Sequence, residues 1–239
     1  MNKRIAYPVF SLVIILIITG FTFILSPIKH IGLKMNARNI KNGYLTSISA
    51  NIYYSISGKM VTVNDKPNQF YTITNNKGEV KVYDPVKNEV YTSQNIALST
   101  ESTQLYYFFN NKIADLGLSD LGFQVVDTQF DEGLIITIWM PPAQLAAQIG
   151  RVKLVHENGK PIFISYTDSN DDLLKKTYFY DYNDINGLLF PASITQMNYV
   201  NKSDSSITKI TYSDIEYNTS RVEELLQFEI PADAKITQW

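Results

Sequence analysis

The side chains that most often carry chemistry are sparse in this chain. Two histidines, His30 and His156, are the whole imidazole inventory, and cysteine is absent. Thiolate metal ligands, thiol nucleophiles, disulfides and a lipid-modified cysteine are therefore excluded. His156 shares an alternating segment with Val152 and Leu154, a packing position with no second ligand nearby in sequence. Carboxylates cluster at Asp131-Glu132 and at Asp168, Asp171 and Asp172. Both clusters read as solvated hairpin tips, and the second lacks the twelve-residue ligand spacing of a calcium loop. No G-x-S-x-G, phosphate loop or dinucleotide glycine pattern occurs. The inventory points away from catalysis, and neither a cofactor nor a metal is expected. The aromatic run Tyr178, Phe179, Tyr180 and Tyr182 suits a sugar or lipid-headgroup surface, or plain cross-strand aromatic pairing. Asn201-Lys202-Ser203 and Asn218-Thr219-Ser220 match glycosylation acceptors, a pattern common by chance.

Charge narrows the field further. The 239 residues include 21 basic and 23 acidic side chains. Lys3, Arg4 and Lys29 lie in the first thirty residues, which contain no acid, so the remainder holds 18 basic against 23 acidic, about −5. No nucleic-acid partner is expected from that balance.

The N-terminus carries a different signal. Lys3 and Arg4 precede an apolar run from Ile5 to Leu25, which as a helix spans roughly 30 Å, the thickness of a bilayer's hydrocarbon core. The bulky Phe21 to Leu25 stretch offers poor cleavage sites, which favours an uncleaved anchor over a cleaved signal. Positive charge ahead of the run keeps the start in the cytoplasm and sends the rest outward. Residues 1–30 are thus expected to be a signal sequence or membrane anchor, and residues 31–239 one β domain.

The elements of that domain follow from periodicity. Leu33, Ala37 and Ile40 are at helical spacing and predict a brief helix between Leu33 and Tyr44. From Ile48 to Ile56 the pattern has period two, a half-buried strand. Strand-like runs then recur between turn signals such as Asn75-Asn76-Lys77-Gly78, Asp131-Glu132-Gly133 and Asn158-Gly159. Sequential hairpins of this kind predict an antiparallel meander of about nine to eleven strands, which must curl or close. Two helices are predicted to interrupt it, Thr100 to Leu116 and Ala143 to Ile149, the second started by Pro141-Pro142 and ended by Gly150. Laid across one open side, they would make a lid. The fold class is mainly β: a strongly curved antiparallel sheet, an unclosed β-barrel with a helical lid.

Several phrases in this order resemble the LolA-like family of outer-membrane lipoprotein carriers and lipoprotein-sorting proteins. Lys66-Pro67-Asn68-Gln69-Phe70 is similar to the family's basic-Pro-x-x-Phe segment, and Lys77 to Pro85 to its following hairpin and Tyr-x-Pro strand end. Leu189 to Ile194 and Phe228 to Ala234 are similar to its closing strands and Phe-x-x-Pro tail. The resemblance implies a periplasmic cavity that binds lipid or lipoprotein acyl chains without catalysis. Each methylene withdrawn from water is worth about 0.8 kcal/mol, so such a passenger needs an apolar enclosure. The candidate lining residues are Ile52, Tyr54, Ile56, Phe70, Val80, Val82, Ile136, Ile138, Val152, Leu154, Ile162 and Ile164, with Leu105, Phe108 and Phe109 from the lid. The same alternation fits a dry, filled core equally well.

Two departures from the family bear on its function. Lys66 stands where the family has an arginine associated with latching the lid, and an ammonium lacks the planar five-donor fork. An uncleaved anchor would also fix the protein to the inner membrane, which suits an acceptor, a lipid-binding protein or a sensor better than a shuttle. The alternative reading is an envelope regulatory module that uses the same fold to bind a protein partner.

Overall fold

The computed structural model describes residues 27–200 and 204–238. The apolar run 5–25 and the acceptor motif 201–203 lie outside the described residues. Among those described, no helix is long and apolar enough to cross a membrane.

Fourteen strands form one sheet, in the order β14-β6-β5-β4-β3-β2-β1-β13-β12-β11-β10-β9-β8-β7. The first meander comprises β1 (His30–Lys41), β2 (Tyr44–Ser55), β3 (Met60–Lys66), β4 (Phe70–Thr74), β5 (Glu79–Asp84) and β6 (Glu89–Gln94). The second comprises β7 (Gln124–Asp131), β8 (Leu134–Met140), β9 (Arg151–Glu157), β10 (Lys160–Thr167), β11 (Leu173–Ile185), β12 (Leu188–Tyr199) and β13 (Ser205–Tyr217). Within each, successive strands pair antiparallel, and β1 joins the two by pairing with β13. The sheet curves but does not close, leaving β7 at one edge and β14 (Lys235–Gln238) at the other. Tight two-residue turns set the registers. At Asn42-Gly43 and Asn158-Gly159 both residues have positive φ, the backbone that matches the right-handed twist of a hairpin.

Four expectations from the sequence need correction. The segment from Leu33 to Tyr44 is not a helix: His30–Lys41 is a strand hydrogen-bonded on both sides. Its inward residues Ile31, Leu33, Met35 and Ala37 also fit period two, and pairing with β2 and β13 decides the matter. Among the described residues the strands number fourteen, because the alternating runs do not mark β1, β3, β7 and β14. The sheet is not wholly antiparallel, since β14 runs parallel to β6. Residues 143–149 are successive turns rather than a helix, closed by bonds such as Leu145 N–H to Pro142 C=O.

Each face of the sheet carries its own apolar packing. The inner face, under the segment between β6 and β7, holds the main core, including Ile31, Ile52, Tyr54, Val152, Leu154, Ile164, Phe179, Phe190, Ile194 and Tyr212. The outer face carries a helix the sequence reading missed, α2 (Ser220–Leu226), which seats Val222 and Leu226 on Tyr53 and Val61. Gly32 makes room for it, since a Cβ there would stand 2.8 Å from Val222 Cγ2. The helix begins where the acceptor motif was noted. Thr219 Oγ1 caps it by accepting from Val222 N–H, and Asn218 Oδ1 accepts from the Lys29 N–H at 2.7 Å.

Candidate functional site

The lid is shorter than the predicted Thr100 to Leu116 helix. A 3-10 turn at Thr100–Ser102 leads into α1 (Gln104–Phe109), after which the chain runs in turns to Phe123. Thr103 caps α1 at its start. Asn110 ends it, its Nδ2 donating back to the Tyr106 carbonyl at 2.9 Å, and Asn111 follows in the left-handed region. The apolar side of α1 faces the sheet. Phe108 meets Phe179 edge-on at 5.4 Å, and Phe109 stacks on Phe190 at 5.1 Å and lies against Tyr54 at 5.3 Å.

Polar bonds hold the lid at its ends. Thr100 Oγ1 donates to the Gly58 carbonyl at 2.9 Å and Ser99 Oγ to the Asn76 carbonyl at 2.8 Å. Asn110 Nδ2 also donates to the Tyr54 hydroxyl at 3.0 Å. At the far end, His156 Nε2 donates to the Ile113 carbonyl at 2.9 Å, which gives this buried histidine a structural task. Lys66 is exposed at the end of β3, beside an outer-face hollow of about 670 Å³ that it shares with Lys34, Arg38 and Lys209.

The structure gathers eight of the predicted lining residues into the main core: Ile52, Tyr54, Leu105, Phe108, Phe109, Val152, Leu154 and Ile164. Register places Val82 in line with Ile52, and Val80 in line with Tyr54, across β3 and β4. Phe70 lies opposite Asn64 on that same inner face, and all three are half-buried. The others fall elsewhere. Ile136 and Ile138 pair with Val155 and Lys153, so they lie on the outer face, while Thr137 and Trp139 point inward. Ile162 is the unpaired residue of a bulge in β10, and Ile56 is exposed just past the end of β2.

With the lid down, most of the inner face is filled. A pocket of about 210 Å³ persists beside α1, bounded by Tyr107, Phe108 and Leu116 above and by Ile164, Tyr166, Lys175, Thr177 and Phe179 below. The last three come from β11, whose sequence stands out only for its aromatic run. Burial pushes the Tyr166 hydroxyl up to about 12 and lowers the Lys175 ammonium below its ordinary value. The sole sequence signal for these residues is that Lys175 and Thr177 alternate in phase with Phe179.

Asp168, Asp171 and Asp172 sit in the loop before β11. Asp168 Oδ1 accepts from Asn170 and Asp172 N–H groups, and Asp171 pairs with Arg151 at 3.0 Å. Of the aromatic run on β11, Tyr178 packs against Phe163 at 5.0 Å, a cross-strand pair on the outer face.

No family model and no curated protein matches the chain. Solved structures do. A LolA-superfamily protein from Nitrosomonas europaea aligns over 81% of this chain and 88% of its own, at 11% identity and a TM-score of 0.55. This chain has the LolA fold. An outer-membrane lipoprotein-sorting protein domain from Vibrio parahaemolyticus shares that fold at 14% identity and a TM-score of 0.54, over 83% of this chain and 89% of the other. So does a DUF1329-family protein from Desulfovibrio piger, at 16% identity and a TM-score of 0.56, over 82% and 88%. The LolA fold here keeps its sheet open at both edges and its inner face under a short lid.

Proposed function

We propose that this protein binds acyl chains of a lipid or lipoprotein on the inner face of its sheet, without catalysis. One observation carries the reading: a continuous apolar face is covered by the segment between β6 and β7, whose regular part is a six-residue helix held by polar bonds on either side. Burial of Leu105, Phe108 and Phe109 is worth about 1.5–3 kcal/mol each, so lifting α1 costs roughly 5–9 kcal/mol. About ten methylenes laid on the same face return about 8 kcal/mol at 0.8 kcal/mol each. The polar anchors add only about 0.5–1.5 kcal/mol apiece. With the four anchors opening costs about 7–15 kcal/mol, so about ten to twenty methylenes offset it, the condition for reversible loading. The lipoprotein-sorting and LolA-superfamily proteins that share the fold support this reading and a periplasmic or envelope location. In this view the apolar run 5–25 tethers the sheet to the outer side of the inner membrane.

The test is titration of the full chain with a fluorescent acyl probe, combined with amide hydrogen exchange. Binding should be saturable and should accelerate exchange at Leu105–Phe109 while the inner strands stay protected. Absence of binding, or binding with unchanged exchange in α1, would overturn the lid reading.

A second reading, engagement of an envelope protein, is favoured by β7. Its backbone edge is open, and Val126 and Phe130 are 59% and 79% exposed. An added strand from a partner would pair there. Protection of the Gln124–Asp131 amides in envelope extract would favour that reading.

A further inference from the structure

Under the margin of the lid, β11 delivers two polar donors to a pocket walled elsewhere by Phe108, Leu116 and Ile164, by Tyr107 and Tyr166, and by Ser102 and Gln104. Lys175 and Thr177 are two residues apart and so share the inner face with Phe179. Register sets Lys175 opposite Tyr166 and Thr177 opposite Ile164. Thr177 is fully buried, and its Oγ1 has no hydrogen-bond partner. Lys175 lines the same pocket, and among the described residues no carboxylate pairs with its ammonium. A desolvated hydroxyl without an acceptor and a desolvated cation without a counter-ion are each unfavourable. Both residues belong to the lining of one pocket, and an anionic oxygen held between them would satisfy both. Among the described residues no acidic side chain lines the pocket, so a cationic group would meet the charge of Lys175 with nothing to offset it.

We propose that this pocket takes the anionic head of a single-chain amphiphile, its oxygens on Lys175 Nζ and Thr177 Oγ1 and its chain on Phe108, Ile164 and Phe179. The inference rests on the acyl-chain reading of the inner face and adds a head and an orientation to it. Size agrees with one chain. The 210 Å³ correspond to about seven water molecules at their liquid volume, room for a head and the first few carbons. The rest of the chain continues under α1 as the lid lifts. Carboxylate and phosphate monoester heads share the chemistry that Lys175 and Thr177 recognise.

Calorimetry on the full chain with decanoate, decyl phosphate, decanol, decyltrimethylammonium and inorganic phosphate tests the assignment. Decanoate and decyl phosphate should bind about tenfold or more tightly than decanol, the scale of one charge-assisted hydrogen bond, and decyltrimethylammonium most weakly. Inorganic phosphate alone should bind far more weakly than decyl phosphate. Lys175→Met should abolish the preference for anionic heads, with an unchanged circular dichroism spectrum reporting an intact fold. Lys175→Arg should keep the preference, and Thr177→Val should reduce it several-fold. Equal binding of decanol and decanoate to the wild-type chain would overturn this inference and leave the acyl-chain reading standing. Phosphate binding as tight as decyl phosphate would overturn it in favour of a free anion. If none of the chains binds, both readings fall.

Discussion

Replacing Thr177 by valine should make the ligand-free protein more stable, an uncommon direction for a fully buried position. The side chain is inaccessible to solvent, and its hydroxyl donates to nothing and accepts from nothing. Valine has the same branched shape, so β11 keeps its rotamer and its register against β10 and β12. The substitution removes a desolvated polar atom worth about 1–3 kcal/mol in proteins and leaves no orphaned partner behind. A net gain of about 1–2 kcal/mol is expected, and for a chain of this size that raises the melting temperature by about 2–8 °C. Urea unfolding of wild type and variant should show a higher midpoint at an unchanged m-value. A midpoint that is unchanged or lower would mean that water or a protein group already satisfies the hydroxyl. The pocket would then offer an anion one donor, Lys175, in place of two.

Three further outcomes follow from other parts of the molecule. Tyr54→Phe removes the hydroxyl that accepts from Asn110 Nδ2, so amide exchange should rise across Leu105–Phe109 and stay level in β9 and β10; the local cost is about 0.5–1.5 kcal/mol. Asp115 is partly buried, which raises its carboxyl, but hydrogen bonds from the Ser119 side chain and the Gly117 and Ser119 N–H groups outweigh this and hold it below its ordinary value. Its contribution is therefore present above the unfolded carboxylate value and is lost as pH falls through the folded one, so Asp115→Asn should flatten the acid limb of a stability–pH curve below about pH 4. Intact mass measurement of the native protein in its membrane fraction should show residues 1–25 still attached; a mature chain beginning near Ile28 would restore a freely diffusing carrier.

Much of the sheet was legible because alternation is hard to counterfeit over long strands. The run from Ile48 to Ile56 gave β2 and its inner residues Ile52 and Tyr54 correctly. It failed at β1, where Leu33, Ala37 and Ile40 satisfy a helical period while Ile31, Leu33, Met35 and Ala37 satisfy a strand period, and distant β13 arbitrates. It failed at β8 for another reason. Leu134–Met140 is apolar on both faces, so choosing Ile136 and Ile138 over Trp139 as the inner residues was a choice alternation cannot make. The edge strand β7 is exposed throughout and so lacks the contrast that marks a half-buried strand. At the candidate site, the aromatic side of α1 was readable from Leu105, Phe108 and Phe109. Lys175 was not, because Lys175 and Lys176 are adjacent, and which of them enters the pocket depends on the register of β11 with β10 and on the lid above.

The seam between β1 and β13 sets the timetable on which the molecule can be completed. Ile31 lies opposite Tyr217, so one edge of the first hairpin must wait for nearly the whole chain to emerge before it finds its neighbour. Until then β1 offers an open row of amides and carbonyls to any passing strand, and only its own charges, Lys34, Arg38 and Lys41, discourage mispairing. Each half can fold as a local meander at hairpin speed, but their union requires closing a loop of almost the full length, the kind of contact that slows folding. Final assembly should thus be the slow and vulnerable step of biogenesis. A chain halted before β13 is expected to be the aggregating species.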